Sequence, residues 1–144
     1  MIITLDTNVL FAALNSKAGA SFQILKLIID EKLELALSTQ IYFEYYEVLT
    51  RKDHLKLFNL SVNQVEDVLD LIALIAQEQN IWYLLRPNLS DEDDNIFIEC
   101  AFASNSEYLI TSNVKDFRRS QLKGFKFKIV TPAQFYKIWS AQNE

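Results

Sequence analysis

The chain has 144 residues, of which half are apolar and 12% are aromatic. This length suits one domain with a well-filled core, and we expect a single domain over residues 1–144. The chain has one cysteine, Cys100, and one histidine, His54, which excludes an internal disulfide and metal sites built from several such residues. A bound metal ion would therefore need oxygen ligands, the donor set that Mg²⁺ and Mn²⁺ prefer.

The sequence has no apolar run long enough to cross a bilayer and no secretory signal, so we expect a cytoplasmic protein without membrane contact. The net charge is −5, but basic side chains cluster near the carboxyl end of the chain, opposed there only by Asp116. This basic cluster comprises Lys115, Arg118, Arg119, Lys123, Lys126 and Lys128. Such a run is usually a solvated surface, and its functional alternative is contact with a phosphate backbone.

Apolar periodicity and capping residues predict strands that alternate with helices. We expect strands at residues 1–5, 33–37, 81–85, 108–111 and 125–130. We expect helices at residues 8–15, 21–31, 39–51, 61–76, 91–105 and 117–121, and a last helix that begins after Thr131. This order predicts an α/β fold with a central parallel sheet of four or five strands, covered by helices on both faces.

The first predicted strand ends in Asp6, within the segment Asp6-Thr7-Asn8. Open parallel sheets bind ligands in the crevice outside the carboxyl ends of their strands. A carboxylate in that position is costly to remove from water and is rarely found there without a partner. Asp6 is therefore the first candidate site residue, either as a metal ligand or as a nucleophile.

Helical geometry separates two acids in the helix that follows Ser38. The apolar stripe of this helix comprises Ile41, Tyr45, Val48 and Leu49. Glu44 lies about 40° from Val48 at the edge of the stripe, whereas Glu47 points about 60° further toward solvent. Glu44 is thus the candidate for a half-buried acid, although a side chain that merely flanks the core is an equal alternative.

Four acids, Asp91-Glu92-Asp93-Asp94, open the helix that Ser90 is expected to cap. Acids in a first helical turn are favourable because of the helix dipole alone. Asp91 and Asp94, however, project on the side of the stripe expected to face the sheet, which comprises Ile98, Ala101 and Phe102. Two carboxylates at the head of a buried stripe would repel each other unless a proton or cation lay between them, which favours metal binding.

A second strand end presents Asn113 after Thr111-Ser112. Asn113 would offer an amide oxygen at the end of this strand, as Asp6 offers a carboxylate at the end of the first strand. Asp116 is close by in the sequence, and we slightly favour a role for it in capping the short helix at residues 117–121.

Taken in this order, the motifs resemble those of the PIN-domain family. Asp6 matches the first acid of the family, in Asp-Thr-Asn-Val-Leu, and Glu44 matches the second. The segment Asp91-Glu92-Asp93-Asp94-Asn95 resembles the third motif, and Thr111-Ser112-Asn113 the last. Asn113 is neutral where the fully acidic version has aspartate, which puts the binding of a second metal in doubt.

The resemblance implies a three-layer α/β/α sandwich that holds Mg²⁺ or Mn²⁺ and cleaves RNA as a metal-dependent endoribonuclease. Asp6, Asp91, Asp94 and Asn113 would be metal ligands, with Asp116 and Asn8 in secondary positions. Glu44 would orient or deprotonate the attacking water. Lys115, Arg118 and Arg119 would contact the RNA backbone. Many prokaryotic members are toxins of toxin–antitoxin pairs, so an antitoxin is an expected partner.

Two other functions stay open from the sequence. The first is a catalytically weak module for dimerisation and partner binding, which the neutral Asn113 favours. The aromatic residues Tyr42, Phe43, Tyr45 and Tyr46 would then form a self-association surface, or else simply pack against the following helix. The second is a phosphatase with Asp6 as nucleophile, which is disfavoured because Asn8 stands where that pattern requires an aspartate.

Overall fold

The computed structural model describes residues 1–78, 92–118 and 126–143, with side chains for residues 1–76, 96–117 and 126–143. Five strands form one sheet in the order β3-β2-β1-β4-β5, and every described pairing is parallel. They are β1 (Ile2–Leu5), β2 (Glu34–Leu37), β3 (Gln77–Glu78), β4 (Tyr108–Ile110) and β5 (Lys128–Val130). The predicted parallel sheet is therefore confirmed.

Helices fill the connections between the strands. In the described residues they are α1 (Thr7–Asn15), α2 (Ala20–Ile29), α3 (Thr39–Leu49), α4 (Lys52–Phe58), α5 (Val62–Ile75), α6 (Glu92–Ser104), α7 (Val114–Arg118) and α8 (Pro132–Asn143). Within these ranges no helix has the length and apolar composition needed to cross a membrane.

The helices form two layers around the sheet, which gives the expected α/β/α sandwich. Helix α2 contacts α1, α5 and α8, and together they make one layer. Helix α6 packs on β1, β2 and β4 and makes the other layer. Right-handed crossovers predict this placement, because the chain moves outward from β1 to β3 and then crosses back to β4. Helix α3 starts where β2 ends and contacts both α1 and α6, so it lies between the layers at the carboxyl edge of the sheet.

The predicted caps of α3, α5 and α8 are present, whereas Ser90 lies outside the described residues and Asp116 lies inside α7 and does not cap it. The Ser38 hydroxyl accepts a hydrogen bond from the N–H of Ile41 at 3.2 Å and opens α3. Ser61 and Gln64 form a complete capping box at the start of α5. Thr131 and Gln134 make the same reciprocal pair of bonds at the start of α8. Each cap satisfies N–H groups that a helix leaves without an internal partner.

Three predictions about elements need comment. The strand expected at residues 81–85 lies outside the described residues, and the short β3 follows α5 directly, which the sequence did not indicate. Helix α4 was missed; the spacing of Leu55 and Phe58 and the left-handed cap residue Asn59 were its signals. The prediction that a helix starts at Phe117 is wrong, because α7 begins at Val114, after a turn in which the carbonyl of Asn113 accepts from the N–H of Asp116.

One buried polar group inside the sandwich consists only of neutral side chains. Thr4 and Ser106 share a hydrogen bond of 2.8 Å, and Ser106 shares another of 2.7 Å with Ser104. Ser104 also donates to the carbonyl of Ala101, so the chain of bonds ends on the backbone. We call Thr4, Ser104 and Ser106 the hydroxyl cluster. Burial beside it raises the pKa of the Cys100 thiol to about 12.

Candidate active site

The carboxyl ends of β1 and β4 meet at Asp6. The N–H of Asp6 donates to the carbonyl of Ile110 at 2.9 Å, which continues the parallel ladder to the last residue of β4. The Thr111 hydroxyl then donates to Oδ2 of Asp6 at 2.7 Å and accepts the N–H of Asn113 at 3.0 Å. Thr111 is completely buried, so its hydroxyl proton is committed to the Asp6 carboxylate. Asp6 is thereby held in a defined orientation.

Asp6 is a buried acid, with 7% of its surface exposed. Desolvation raises the pKa of its carboxyl, because burial disfavours the charged form. The Thr111 hydroxyl and the polar groups of Thr7 and Asn8 oppose this rise. A carboxylate in this position would be stabilised by a nearby cation.

Glu44 reaches the same edge from α3. Its side chain is half-buried, and its Oε2 accepts a hydrogen bond from the hydroxyl of Thr7, the residue after Asp6. Glu47 is exposed and pairs with Arg51 at 2.7 Å on the helix surface. The sorting of the two glutamates by helical angle is therefore confirmed. We call Asp6, Thr7, Glu44 and Thr111 the edge cluster.

The other strand-end residues tie the edge together. Oδ1 of Asn8 accepts the N–H of Ser112 at 3.2 Å, which links the start of α1 to the segment after β4. The side chains of Asn113 and Asp116 are exposed, on the turn and in the first turn of α7 that follow β4. Asn8, Asn113 and Asp116 therefore lie at the carboxyl edge, and the roles predicted for them in a metal site stay predictions.

The acids of α6 are described only in part. Asp91 lies outside the described residues, and Asp94 is in the first turn of α6, where the backbone but not the side chain is described. Cys100, two turns further on, faces Thr4. Phe97, one turn from Asp94, packs near Tyr45 with ring centroids 6.4 Å apart. The first turn of α6 therefore points toward the carboxyl edge of the sheet, as a role for Asp94 requires.

The stripe predicted for α6 is partly wrong. Ile98 and Ala101 are buried as expected, but Phe102 is 41% exposed. The other side chains from Ile96 to Cys100 are also buried, because the helix is covered on more than its sheet side. Because α6 is buried on more than one side, helical angle does not set Asp91 and Asp94 apart from Glu92 and Asp93. Sequence reasoning also missed Glu99, an acid only 2% exposed, whose signal is its place inside an apolar run.

The predicted basic cluster does not form one patch. Lys115 is exposed in α7, directly after the carboxyl end of β4. Lys126 and Lys128 are exposed before and at the start of β5, which is the opposite edge of the parallel sheet. The side chain of Arg118 is not described, and Arg119 and Lys123 lie outside the described residues. Only Lys115 is therefore described on the side of the edge cluster.

The aromatic residues of α3 have different environments. Tyr45 is completely buried, and Tyr42 and Tyr46 are partly buried against the core, as ordinary packing predicts. Phe43 is 63% exposed. On α5, which contacts α3, Leu74 is 82% exposed. Of the four aromatic residues predicted for a self-association surface, only Phe43 is exposed, and Leu74 is a further exposed apolar side chain on the helix that contacts α3.

The donor set of the edge suits a hard divalent cation. The described acids, Asp6 and Glu44, offer carboxylate oxygens, and Mg²⁺ is commonly held by one or two carboxylates together with water and substrate phosphate. In the side chains that the structure describes, no three acidic, histidine or cysteine residues group together. Asp91 and the side chain of Asp94 lie outside this part of the structure, and their roles as further ligands stay predictions.

A parallel β3-β2-β1-β4-β5 sheet between two helix layers, with acids at its carboxyl edge, defines the class as a PIN-like α/β/α protein. The family model described as "PIN domain" matches residues 3–115, and the chain belongs to this family. Among solved structures, it is similar to VapBC2 from Rickettsia felis bound to a DNA fragment from their promoter, with 17% identity and a TM-score of 0.59. That match covers 91% of this chain and 98% of the other. No curated protein matches the chain.

Proposed function

We propose that this protein is a metal-dependent endoribonuclease and the toxin of a toxin–antitoxin pair. The observation that carries the proposal is the edge cluster, in which a buried carboxylate, Asp6, is fixed by Thr111 and lies beside Glu44 through Thr7. A buried acid with a raised pKa at the ligand-binding edge of a parallel sheet is typical of functional sites. Membership in the PIN-domain family supports the same assignment.

Each side chain has a proposed role. Asp6, Asp91 and Asp94 would hold one or two Mg²⁺ or Mn²⁺ ions, with Asn113 as a neutral ligand and Asp116 and Asn8 in secondary positions. Such an ion lowers the pKa of bound water and neutralises charge that develops on the phosphate. Glu44 orients the attacking water and accepts its proton.

Contact with an RNA backbone requires positive charge near the acidic edge. An acidic edge repels a phosphate backbone unless cations and basic side chains lie nearby. Lys115, exposed beside the edge cluster, is the described residue suited to contact the RNA backbone, and we propose Arg118 and Arg119 for the same role. Lys126 and Lys128 lie at the far edge and are not part of this contact.

The test is cleavage of purified total tRNA and a synthetic RNA hairpin in Mg²⁺ or Mn²⁺. Asp6→Asn should lower the cleavage rate at least about a hundredfold, because it removes a charged ligand while keeping the size of the side chain. Asp30→Asn makes the same change at an exposed position at the end of α2 and should leave the rate within about twofold. Equal rates for the wild type and Asp6→Asn would refute the nuclease assignment.

An antitoxin and a second copy of the chain are the proposed partners, in the cytoplasm. The similar fold in a VapBC2 complex bound to promoter DNA supports the first partner. Expression of the protein in bacteria should stop growth, and the product of a neighbouring small gene should restore it. Growth unaffected by expression of the wild type would argue against a toxin.

The second candidate function is a binding and dimerisation module. The exposed Phe43 and Leu74 on neighbouring helices favour it, because large apolar side chains at a surface often mark an interface. Multi-angle light scattering should find a dimer at micromolar concentration that Phe43→Glu or Leu74→Glu converts to a monomer. A wild-type monomer would remove the dimer from the account.

A further inference from the structure

The last carbonyl of β1 falls beyond the end of its strand partner. Along β1, the Ile2 carbonyl and the Asp6 N–H face β4, whereas the Met1 carbonyl accepts from Glu34 on the β2 side. By this alternation the Leu5 carbonyl faces the β2 side as well. But β2 ends at Leu37, and the next residue caps α3. The ladder that would normally supply a donor for the Leu5 carbonyl is therefore interrupted.

Tyr45 supplies that donor. Its phenol hydroxyl donates to the Leu5 carbonyl at 2.6 Å, and the whole side chain is buried. A buried backbone carbonyl requires a partner, and water does not reach this position. The bond therefore fixes α3 against the end of β1 at a defined height and rotation.

Two hydroxyl bonds connect the same two segments on either side of Asp6. Leu5 accepts from Tyr45, and Thr7 donates to Glu44. The paired residues are consecutive in α3 and flank Asp6 in the other segment. Consecutive helix residues point about 100° apart, so the rotation that buries Tyr45 also decides where Glu44 projects.

We infer that Tyr45 is a positioning residue that sets the placement of Glu44 relative to Asp6. The inference rests on the proposed nuclease function of the edge cluster and adds to it a residue outside the acidic set. Tyr45 does not touch substrate or metal. It acts through the orientation of α3, and the hydroxyl rather than the ring carries this role.

The experiment compares three variants that each remove one hydroxyl from the full-length protein. Tyr45→Phe should lower kcat for RNA cleavage about tenfold or more and leave KM within about twofold, because small displacements of reacting groups slow chemistry more than they weaken binding. Tyr42→Phe is the matched control, since its phenol lies in the same helix but bonds Asp70 on α5. Thr4→Val removes a buried hydroxyl from the hydroxyl cluster and controls for lost stability. Both controls should keep kcat within about twofold of wild type.

A rescue separates the lost donor from a disturbed ring. Incorporation of p-aminophenylalanine at position 45 restores a donor at the same place and should recover most of the lost kcat. If Tyr45→Phe behaves like Tyr42→Phe and Thr4→Val in kcat, the positioning role is refuted. If Tyr45→Phe does not fold, Glu44→Gln takes its place. Because Tyr45 is proposed to act through Glu44, an unchanged kcat in Glu44→Gln refutes the positioning role.

Binding of Mn²⁺ by calorimetry keeps this inference separate from the nuclease assignment. A wild type that binds Mn²⁺ but cleaves no RNA refutes the nuclease function. Tyr45 is then judged on the Kd for Mn²⁺ alone, because its bond to the Leu5 carbonyl also holds the residue before Asp6. Tyr45→Phe should raise this Kd at least about threefold, while Tyr42→Phe leaves it unchanged. Equal Kd values in the two variants refute the positioning role, and so does a wild type that neither binds Mn²⁺ nor cleaves.

Discussion

Two buried polar side chains, Thr4 in β1 and Asp6 directly after it, lie on one face of the sheet and differ in charge. Thr4 belongs to the hydroxyl cluster, in which three hydroxyls bond one another and end on a backbone carbonyl. Asp6, two residues further on, belongs to the edge cluster, where a carboxylate is bonded by Thr111. Because alternate strand residues share a face, both groups lie on the side that α6 covers.

The two clusters differ in whether they leave a buried charge to be balanced. Hydroxyls can donate and accept, so the hydroxyl cluster satisfies itself and leaves no charge to balance. A carboxylate only accepts, and burial raises the pKa of Asp6 despite its hydrogen bonds. Burial of this carboxylate therefore costs free energy in the folded protein when no ligand is bound, which is expected of a site built for a ligand.

Thr111→Val should have the largest effect on the rate of RNA cleavage. The variant keeps the shape of the side chain but removes the donor that orients Asp6, so RNA cleavage should fall about a hundredfold. The free energy of unfolding should also fall, by about 1–3 kcal/mol, because the Asp6 carboxylate loses a buried hydrogen bond. Thr111→Ser keeps the donor and should retain most of the activity. A fully active Thr111→Val would mean that the orientation of Asp6 is unimportant.

Thr4→Val should lower stability without lowering activity. It removes one member of the hydroxyl cluster, so the free energy of unfolding in urea should fall by about 1 kcal/mol. Cleavage should stay within about twofold of wild type when measured where the variant is folded. Loss of activity without loss of stability would show that the two clusters are not separate in function.

A smaller effect is expected from pH in metal-free protein. The pKa of Asp6 is higher in the folded than in the unfolded chain, so its contribution to stability falls as pH rises from the ordinary value of 3.8 through the folded value. Asp6→Asn does not titrate and should be more stable than wild type at neutral pH. This difference should shrink as the pH is lowered toward 4 in chelator-treated urea titrations. A stability difference between Asp6→Asn and the wild type that grows as the pH is lowered would contradict a raised pKa of Asp6.

The smallest effect should be seen at Cys100. The thiol is buried and its pKa is raised to about 12, so it should resist alkylation at pH 8 in the native protein. The same reagent should react readily once guanidinium unfolds the chain. Fast modification of the native protein would show that the region around the hydroxyl cluster opens easily.

Local signals predicted most of the fold. Caps at Ser38, Ser61 and Thr131 depend on neighbouring residues only, and each was confirmed. The position of Glu44 at the edge of its helix stripe followed from helical geometry in the same way. Helix α4 was missed because a seven-residue helix offers too few positions for a periodic pattern.

The contacts of the edge cluster could not be predicted from the sequence. Thr111 and Asp6 are 105 residues apart, and Thr7 and Glu44 are 37 apart. These pairs depend on the register of β1 with β4 and on the rotation of α3, which no local pattern reports. The bond from Tyr45 to Leu5 was hidden for a further reason, since the ring alone already explained why Tyr45 is buried.

Calorimetric titration with Mn²⁺ tests most directly whether the edge cluster is a metal site. The wild type should bind Mn²⁺, and both Asp6→Asn and Asp94→Ala should weaken binding at least about tenfold, with Asp30→Asn as the unaffected control. This result would show that Asp6 and Asp94, in the first turn of α6, contribute to the same metal site. Absent binding in the wild type, or the same affinity in all three variants, would contradict the account.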